Sequence, residues 1–275
     1  MRQIRTRAEL LEASGHDPYV RWGVPADLPA PALEHRGAVA TLRVRHRLGR
    51  VRRSAFLFGA RAGMEALVHE VLDDLLAEWG AEGISVPAEH GHLLDAHGIE
   101  PGGRWDWMWV TAPRTSSPAV SSAPTSGGRL GLDAVVTLDD ASDAAEMAAF
   151  SEQWSPTAEG EPGAGLSTLW QGVREGALEG RPTQGPLLAL GASQPFTDEV
   201  PHLAGIVTRG DARGQGLGRL VTESLTLAEV RRTGVCTLGM YSDNDTARAL
   251  YRSIGYETAW AWDSRPWHGA TAGCC

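Results

Sequence analysis

Residues 206–219 read Ile206-Val207-Thr208-Arg209-Gly210-Asp211-Ala212-Arg213-Gly214-Gln215-Gly216-Leu217-Gly218-Arg219. A strand-like run, His202 to Thr208, passes into a loop with glycines at 214, 216 and 218. An amphipathic helix is expected from Gly216 to Arg232, with Gly234 as its stop. Glycine lets backbone N–H groups turn inward with no Cβ in the way. A helix start adds unpaired N–H donors and the positive end of a dipole. Together they make an anion site, for which a pyrophosphate is a natural ligand, with Arg213 and Arg219 adding charge beside it. Two phosphate motifs do not fit. A Walker loop requires Gly-Lys, and the chain has no lysine; a dinucleotide fingerprint requires Gly-x-Gly-x-x-Gly, whereas the spacing here is Gly-x-Gly-x-Gly.

About 30 residues further on stands Asp243-Asn244-Asp245-Thr246-Ala247-Arg248-Ala249-Leu250-Tyr251-Arg252-Ser253-Ile254-Gly255-Tyr256. Asn244 suits a helix cap that offers its amide to a ligand. Ala247, Leu250 and Ile254 share one helical face, Tyr251 lies at its edge toward a cleft, and Gly255 ends the helix. The two stretches resemble the motifs of the GCN5-related N-acetyltransferase (GNAT) family: Arg213, Gly216 and Gly218 match its coenzyme A loop, Arg/Gln-x-x-Gly-x-Gly/Ala. The second stretch matches its Asn-x-x-Ala-x-x-Leu-Tyr-x-x-x-Gly-Phe/Tyr pattern. The resemblance spans residues 130–262 and is sharpest over 202–257.

The balance of the chain sets the remaining bounds. It has 275 residues, 42% of them hydrophobic and 21% charged, and a formal net charge of −9. These values describe a globular protein, and an acidic surplus counts against a nucleic-acid partner. All 25 cationic side chains are arginine, which excludes a lysine nucleophile or Schiff base. Cys236 sits in an apolar run, Cys274 and Cys275 end the chain, and no metal-ligand spacing or disulfide framework appears. With no signal-peptide pattern and no apolar run of about 18 residues, the expectation is a cytoplasmic protein without a membrane partner.

Residues 112–128, dense in Ser, Pro and Gly, read as a linker. It separates an N-terminal domain, 1–111, from a catalytic domain, 129–268, followed by a tail, 269–275. In the first domain the expected elements are strands at Tyr19–Trp22, Gly37–Val44, Ser54–Gly59 and Gly83–Val86. Helices are expected at Met64–Trp79 and Glu89–His97, and a strand alternating tryptophans at Arg104–Val110. In the second, strands are expected at Leu130–Leu138, Thr168–Val173, Pro186–Ala192, His202–Thr208, Val235–Tyr241 and Tyr256–Trp262. Helices are expected at Asp140–Gln153, capped by Asp139 or Asp140, at Gly216–Arg232 and at Asp245–Ile254. The order implies an α/β (α+β) fold with a mixed, mainly antiparallel sheet. The two domains share an outline of strands, a long helix, a strand, a short helix and a final tryptophan-bearing strand, which suggests duplication. The N-terminal copy keeps Gly59, Arg61 and Gly63 but lacks both motifs, so it reads as a degenerate GNAT-like half that has lost coenzyme binding.

The resemblance implies direct attack of an amine on acetyl-CoA, with no metal. Backbone groups of Ile206, Val207 and Thr208 would hold the pantetheine arm, on a strand splayed from Val235–Tyr241. Arg213, Gly214, Gln215, Gly216, Leu217, Gly218 and Arg219 would hold the diphosphate, with Asn244 and Ala247 beside it. Tyr251 matches the general acid. Ala204 and Gly205 stand where many members carry a basic glutamate, so the candidate bases are Asp198, Glu199 and His202. A water relay is a further option. The acceptor is a primary amine of a small molecule or protein, and the chain a monomer or homodimer. Two other functions compete: a non-catalytic acyl-CoA sensor or scaffold module, and a carrier-type transferase with another acyl donor. Trp105, Trp107, Trp109, Trp260 and Trp262 are expected to pack strands rather than line an aromatic acceptor pocket.

Overall fold

The computed structural model describes residues 1–47, 50–114, 130–198 and 200–268. The expected tail, most of the linker and the candidate base Glu199 therefore lie outside the described residues. In chain order the elements are β1 (Arg2–Ile4), α1 (Arg7–Ala13), α2 (Pro18–Gly23), β2 (Ala32–His35), β3 (Ala38–Arg47), β4 (Arg50–Gly59), α3 (Arg61–Trp79), β5 (Gly83–Pro87), α4 (Gly91–Asp95) and β6 (Gly103–Val110). They continue with β7 (Val135–Leu138), α5 (Ala144–Trp154), β8 (Leu169–Arg174), β9 (Leu187–Thr197), β10 (Val200–Thr208), α6 (Leu217–Thr233), β11 (Cys236–Tyr241), α7 (Asp245–Ile254) and β12 (Glu257–Pro266).

The described residues form two compact units that do not follow the two halves of the chain. One comprises residues 1–108, 240–245 and 258–268, the other residues 109–239 and 246–257. Chain crosses between them because the last strand, β12, belongs to the sheet of the first unit.

In the first unit the strand order is β1-β2-β3-β4-β5-β12-β6. β4 and β5 run parallel, joined through α3, while the β1–β2, β2–β3, β3–β4 and β5–β12 pairs are antiparallel. Leu67, Val68, Leu72 and Leu76 of α3 pack on Leu42, Leu57, Ile84 and Val86 of the sheet. Tyr19 meets Phe56, Phe58, Trp107 and Trp262 edge-on or tilted, and every one of these side chains is buried. The aromatics thus pack strands and helix together. Trp105 and Trp260 spend their indole N–H groups on Ser264 and Asp17.

One local expectation changes here. Tyr19–Trp22 is helical, not a strand, because Asp17 accepts the N–H groups of Tyr19 and Val20 and Pro18 occupies the first helical position. β1 and α1 carry no strong periodicity; α1 is set by a Thr6–Glu9 capping box.

The second unit has the order β11-β10-β9-β8-β7. Its neighbours are antiparallel except β10 and β11, which run parallel and are joined by α6. Trp170, Leu190, Ala192 and Val207 of the sheet pack with Met147 and Phe150 of α5. The N-cap of α5 is Asp143, not Asp139 or Asp140. Asp139 instead accepts from Ala141 and Ser142 in the preceding turn, and Asp140 reaches across to the N–H groups of Gly163 and Gly165. Leu130–Leu138 is strand only from Val135, after a 3₁₀ turn at Leu132–Ala134. Both units therefore show helices on a mixed, mainly antiparallel sheet, each with a parallel pair bridged by a long helix. No described helix is long and apolar enough to cross a membrane.

Candidate functional site

The site grows from the parallel pair in the second unit. β10 and β11 are in register only at His202↔Thr237 and Leu203↔Leu238. Beyond those pairs β10 continues to Thr208 and β11 to Tyr241 without partnering each other, so the strands part. The parting coincides with a bulge: the register of β10 against β9 shifts between Ala204 and Val207. Gly205 sits in that bulge with φ 60°. A Cβ there would lie 2.9 Å from the Gly160 Cα, so only glycine admits the loop after α5 so close. Asp140 pins that loop through Gly163 and Gly165. The parted strands leave backbone groups of Ile206–Thr208 without β11 partners.

From Thr208 the chain turns through a 3₁₀ segment, Gly210–Ala212, into α6. Asp211 serves the turn, accepting from Arg209 Nε at 2.6 Å. Gly214 and Gly216 have φ 78° and 81°, and a Cβ at either would meet nothing within 4 Å. Gly216 is the N-cap of α6, and no side chain caps the helix. The first N–H groups of α6 thus lack a side-chain acceptor beside open space, the arrangement that binds an anion. At Gly218 the reason for glycine differs: a Cβ would lie 2.9 Å from Thr208 Oγ1, so the residue lets the helix start close to the strand end.

The two arginines brace the turn. Arg213 Nη2 donates to the Trp154 carbonyl at 3.1 Å and Nε to the Thr208 carbonyl at 3.4 Å. Arg219 hydrogen-bonds Ser253 of α7 and lies 3.6 Å from Glu223.

Tyr251 is 9% exposed, more enclosed than an edge position implies. Burial pushes its phenol up to about 12. Its ring centroid is 6.0 Å from that of Tyr256. The hydroxyl of Thr226 donates to the Thr222 carbonyl at 2.7 Å, so its contact with Tyr256 Oη at 2.8 Å is a bond that Tyr256 donates. This buried bond ties the end of α7 to α6 and fixes the seat of Tyr251. Ala247 is half-buried in the first turn of α7. Asn244 is exposed in the turn ahead of α7, its N–H donating to the Tyr241 carbonyl at 3.1 Å, and belongs to the segment 240–245 of the other unit.

Two candidate bases lie within β10 and in the turn before it. Asp198 is exposed in the β9–β10 turn with φ 47°. His202 stands where β10 is about to leave β11. Its ring stacks on Phe196 at 4.4 Å, and its Nδ1 lies 2.9 Å from Thr237 Oγ1. Thr237 is fully buried and donates its only hydroxyl proton to the Pro201 carbonyl at 2.8 Å. The Thr237 oxygen therefore accepts from His202, which places an imidazole proton on Nδ1. Reading the sequence did not single out Thr237, Thr226 or Ser253; for the two threonines, a hydroxyl between apolar residues was the available sign.

The equivalent junction of the first unit is closed. β4 meets α3 through Gly59 and Ala60, and Ala60 N–H donates to the Gly37 carbonyl at 2.9 Å. A Cβ at Gly59 would lie 2.5 Å from the Gly37 oxygen, and one at Gly63 would lie 2.3 Å from the His35 oxygen. The β2–β3 turn fills the space that the second unit leaves open. Among the described residues no cluster of His, Cys, Asp or Glu is arranged to hold a metal.

The description of FR47-like proteins matches residues 192–265, from β9 through β12. N-alpha-acetyltransferase RimI of Mycobacterium tuberculosis is 35% identical over 127 residues, 44% of this chain and 75% of that protein. Two solved structures share the fold. A GCN5-related N-acetyltransferase from Kribbella flavida is 17% identical over 97% of each chain, with TM-score 0.50. One from Sphaerobacter thermophilus is 15% identical over 84% of this chain and 76% of that chain, with TM-score 0.51. Fold and relatives together define an acetyltransferase. The chain belongs to the GCN5-related N-acetyltransferase family.

Proposed function

We propose that the chain transfers an acetyl group from acetyl-CoA to a primary amine of a protein or small molecule, by direct attack with both substrates bound. The observation that carries this reading is the parting of β10 from β11 into an open glycine turn and an uncapped helix start. The residues fit the coenzyme: Gly214 and Gly216 border open space, with nothing within 4 Å of where a Cβ would stand, beside the uncapped start of α6. The amides of Leu217, Gly218 and Arg219, with the turn from Arg213 to Gln215, would hold the diphosphate. Backbone groups of Ile206, Val207 and Thr208 would hold the pantetheine arm and the thioester oxygen.

Bound acetyl-CoA supplies an acyl carbon on a thiol leaving group. As the C–N bond forms and the C–S bond breaks, His202 Nε2 takes the amine proton and Tyr251 donates a hydrogen bond to the departing sulfur. The name of the mycobacterial relative, an N-alpha-acetyltransferase, favours polypeptide N-termini among the amines. The test is thiol release from acetyl-CoA with peptides of free N-terminus and a panel of small amines. Turnover on any of them supports the reading; saturable coenzyme binding with no release on all of them leaves a non-catalytic module.

Two results are expected. Gly216→Val forces a β-branched residue to φ 81° and fills the cradle, so coenzyme affinity falls about tenfold or more while the protein stays folded. Calorimetric titration checks it, and unchanged affinity would remove the turn from the site. Thr237→Val frees the His202 proton from its partner. Turnover should drop about tenfold with coenzyme affinity kept, and Thr237→Ser should restore it. Histidine ¹⁵N shifts, assigned with a His202→Gln control, should show the Nδ1–H form only when residue 237 bears a hydroxyl.

A further inference from the structure

One loop, residues 155–168 between α5 and β8, touches both the glycine turn and the β10 bulge. It leaves α5 at Trp154, whose carbonyl accepts from Arg213 Nη2 at 3.1 Å. A Cβ at Gly210 would lie 2.7 Å from Trp154 Cζ3, so the indole lies against the turn as well. Midway along the loop, Gly160 meets Gly205 in the bulge. A Cβ on Gly160 would stand 3.4 Å from Gly205 Cα and 2.8 Å from Cη2 of the buried Trp170. Backbone therefore lies directly on backbone at this point.

Three glycines in six residues, 160, 163 and 165, make the stretch costly to order. The half-buried Asp140 offsets that cost. Its Oδ1 accepts from the Gly163 N–H and its Oδ2 from the Gly165 N–H, each at 2.9 Å. Such charge-assisted bonds are roughly twice as strong as neutral ones. Gly163 and Gly165 take φ 81° and 67°, which residues with side chains rarely adopt. A Cβ on Gly163 would lie 3.1 Å from the Ala144 Cβ, so the loop also rests on the first turn of α5. Asp140 stands just ahead of α5. One side chain thus ties the far limb of the loop to the start of the helix whose end opens it.

We propose that Asp140 is a positioning residue for acetyl transfer: by fixing this loop it keeps Gly160 against Gly205 and so holds the bulge of β10 in shape. The role rests on the acetyl-transfer reading of the site. Gly205 immediately precedes Ile206–Thr208, whose backbone groups would face the thioester oxygen. Donors to a developing oxyanion act only when they are held in place beforehand, and a small displacement of them costs rate rather than ground-state binding. The glycine turn keeps its own brace without Asp140, because Arg213 Nε also donates to the Thr208 carbonyl.

The test uses the full chain and rates measured well below the thermal midpoint of each variant. Asp140→Ala should lower kcat about tenfold at saturating acetyl-CoA and acceptor. Coenzyme affinity by calorimetry should stay within about twofold. Gly160→Ala, which lifts the loop from the bulge and leaves Asp140 in place, should do the same. The double variant should lose no more than the worse single one, because both act through one contact, whereas independent effects multiply. The Gly205 and Ile206 amide resonances should move in both single variants. Unmoved resonances, an unchanged kcat in Asp140→Ala, an equal fall in coenzyme affinity, or multiplied losses in the double variant overturn the role. A wild-type chain that turns over no amine defeats the acetyl-transfer reading and this role with it; normal wild-type turnover beside an unaffected Asp140→Ala defeats the role alone.

Discussion

Arg265→Met is expected to lower stability by about 3–5 kcal/mol, the cost of breaking a buried ion pair. Arg265 is 6% exposed and uses all five donors. Nε and Nη2 hold the two Asp263 oxygens at 2.9 and 3.0 Å, Nη1 reaches Asp95 at 2.6 Å and the Ile99 carbonyl at 2.9 Å, and Nη2 also reaches the Gly91 carbonyl at 3.1 Å. Methionine fills much of the volume but leaves Asp263, 3% exposed, with Arg104 at 3.8 Å as its one remaining cation among the described residues. Two carbonyls also lose donors. Against a total of about 5–15 kcal/mol this is a large fraction, and the melting point should fall by about 10 °C. The loss should concentrate in the first unit, where β12 stands between β5 and β6. Adding Asp263→Asn should recover part of it, because the stranded charge is then gone. Thermal melts of the two variants check this, and a shift of under about 2 °C for Arg265→Met would show that the cluster adds little.

Tyr251→Phe is expected to lower turnover about 10- to 100-fold while acetyl-CoA affinity stays nearly constant. The magnitude follows from the chemistry of the phenol. With its pKa pushed up to about 12, full proton transfer to a thiolate of ordinary basicity, about 8.5, is uphill by roughly 5 kcal/mol. Tyr251 therefore acts by a hydrogen bond to developing charge, which is worth about 1.5–3 kcal/mol. The sign for pH follows. The phenol is protonated throughout the range below about 12, so any loss of activity in mild alkali comes from another group. Steady-state kinetics with the acceptor found above, beside a coenzyme titration, decide it. A normal rate in the phenylalanine variant removes Tyr251 from the chemistry, and an equal loss of affinity makes it a binding residue.

How much of this was legible in the sequence depends on where the determining contacts lie. The glycine turn and α6 were readable because their causes are local: Gly214, Gly216 and Gly234 all take positive φ, and α6 runs between two of them. The long α3 was readable from its spacing. Pro18–Gly23 was not, because aromatic and β-branched residues favour a strand, and the short Asp17 cap overrode them. Asp139 and Asp140 looked like caps, but Asp140 spends its oxygens on glycines more than 20 residues away. At the site, the matched motifs pointed to Tyr251 and the turn. The Thr237 link to His202 depends on strand register, and the Thr226 link to Tyr256 on helix docking, neither of which a linear pattern displays. The span of β12 to Pro266 and its seat in the first unit were equally hidden, since strand neighbours can be far apart in the chain.

That seat has a consequence for biosynthesis. The 146 residues from 111 to 256 separate the end of β6 from the start of β12. A ribosome therefore delivers β5 and β6 long before the strand that belongs between them, and their facing edges must wait. The early-made part matures only after the late-made part has emerged, so the order of synthesis and the order of completion are reversed.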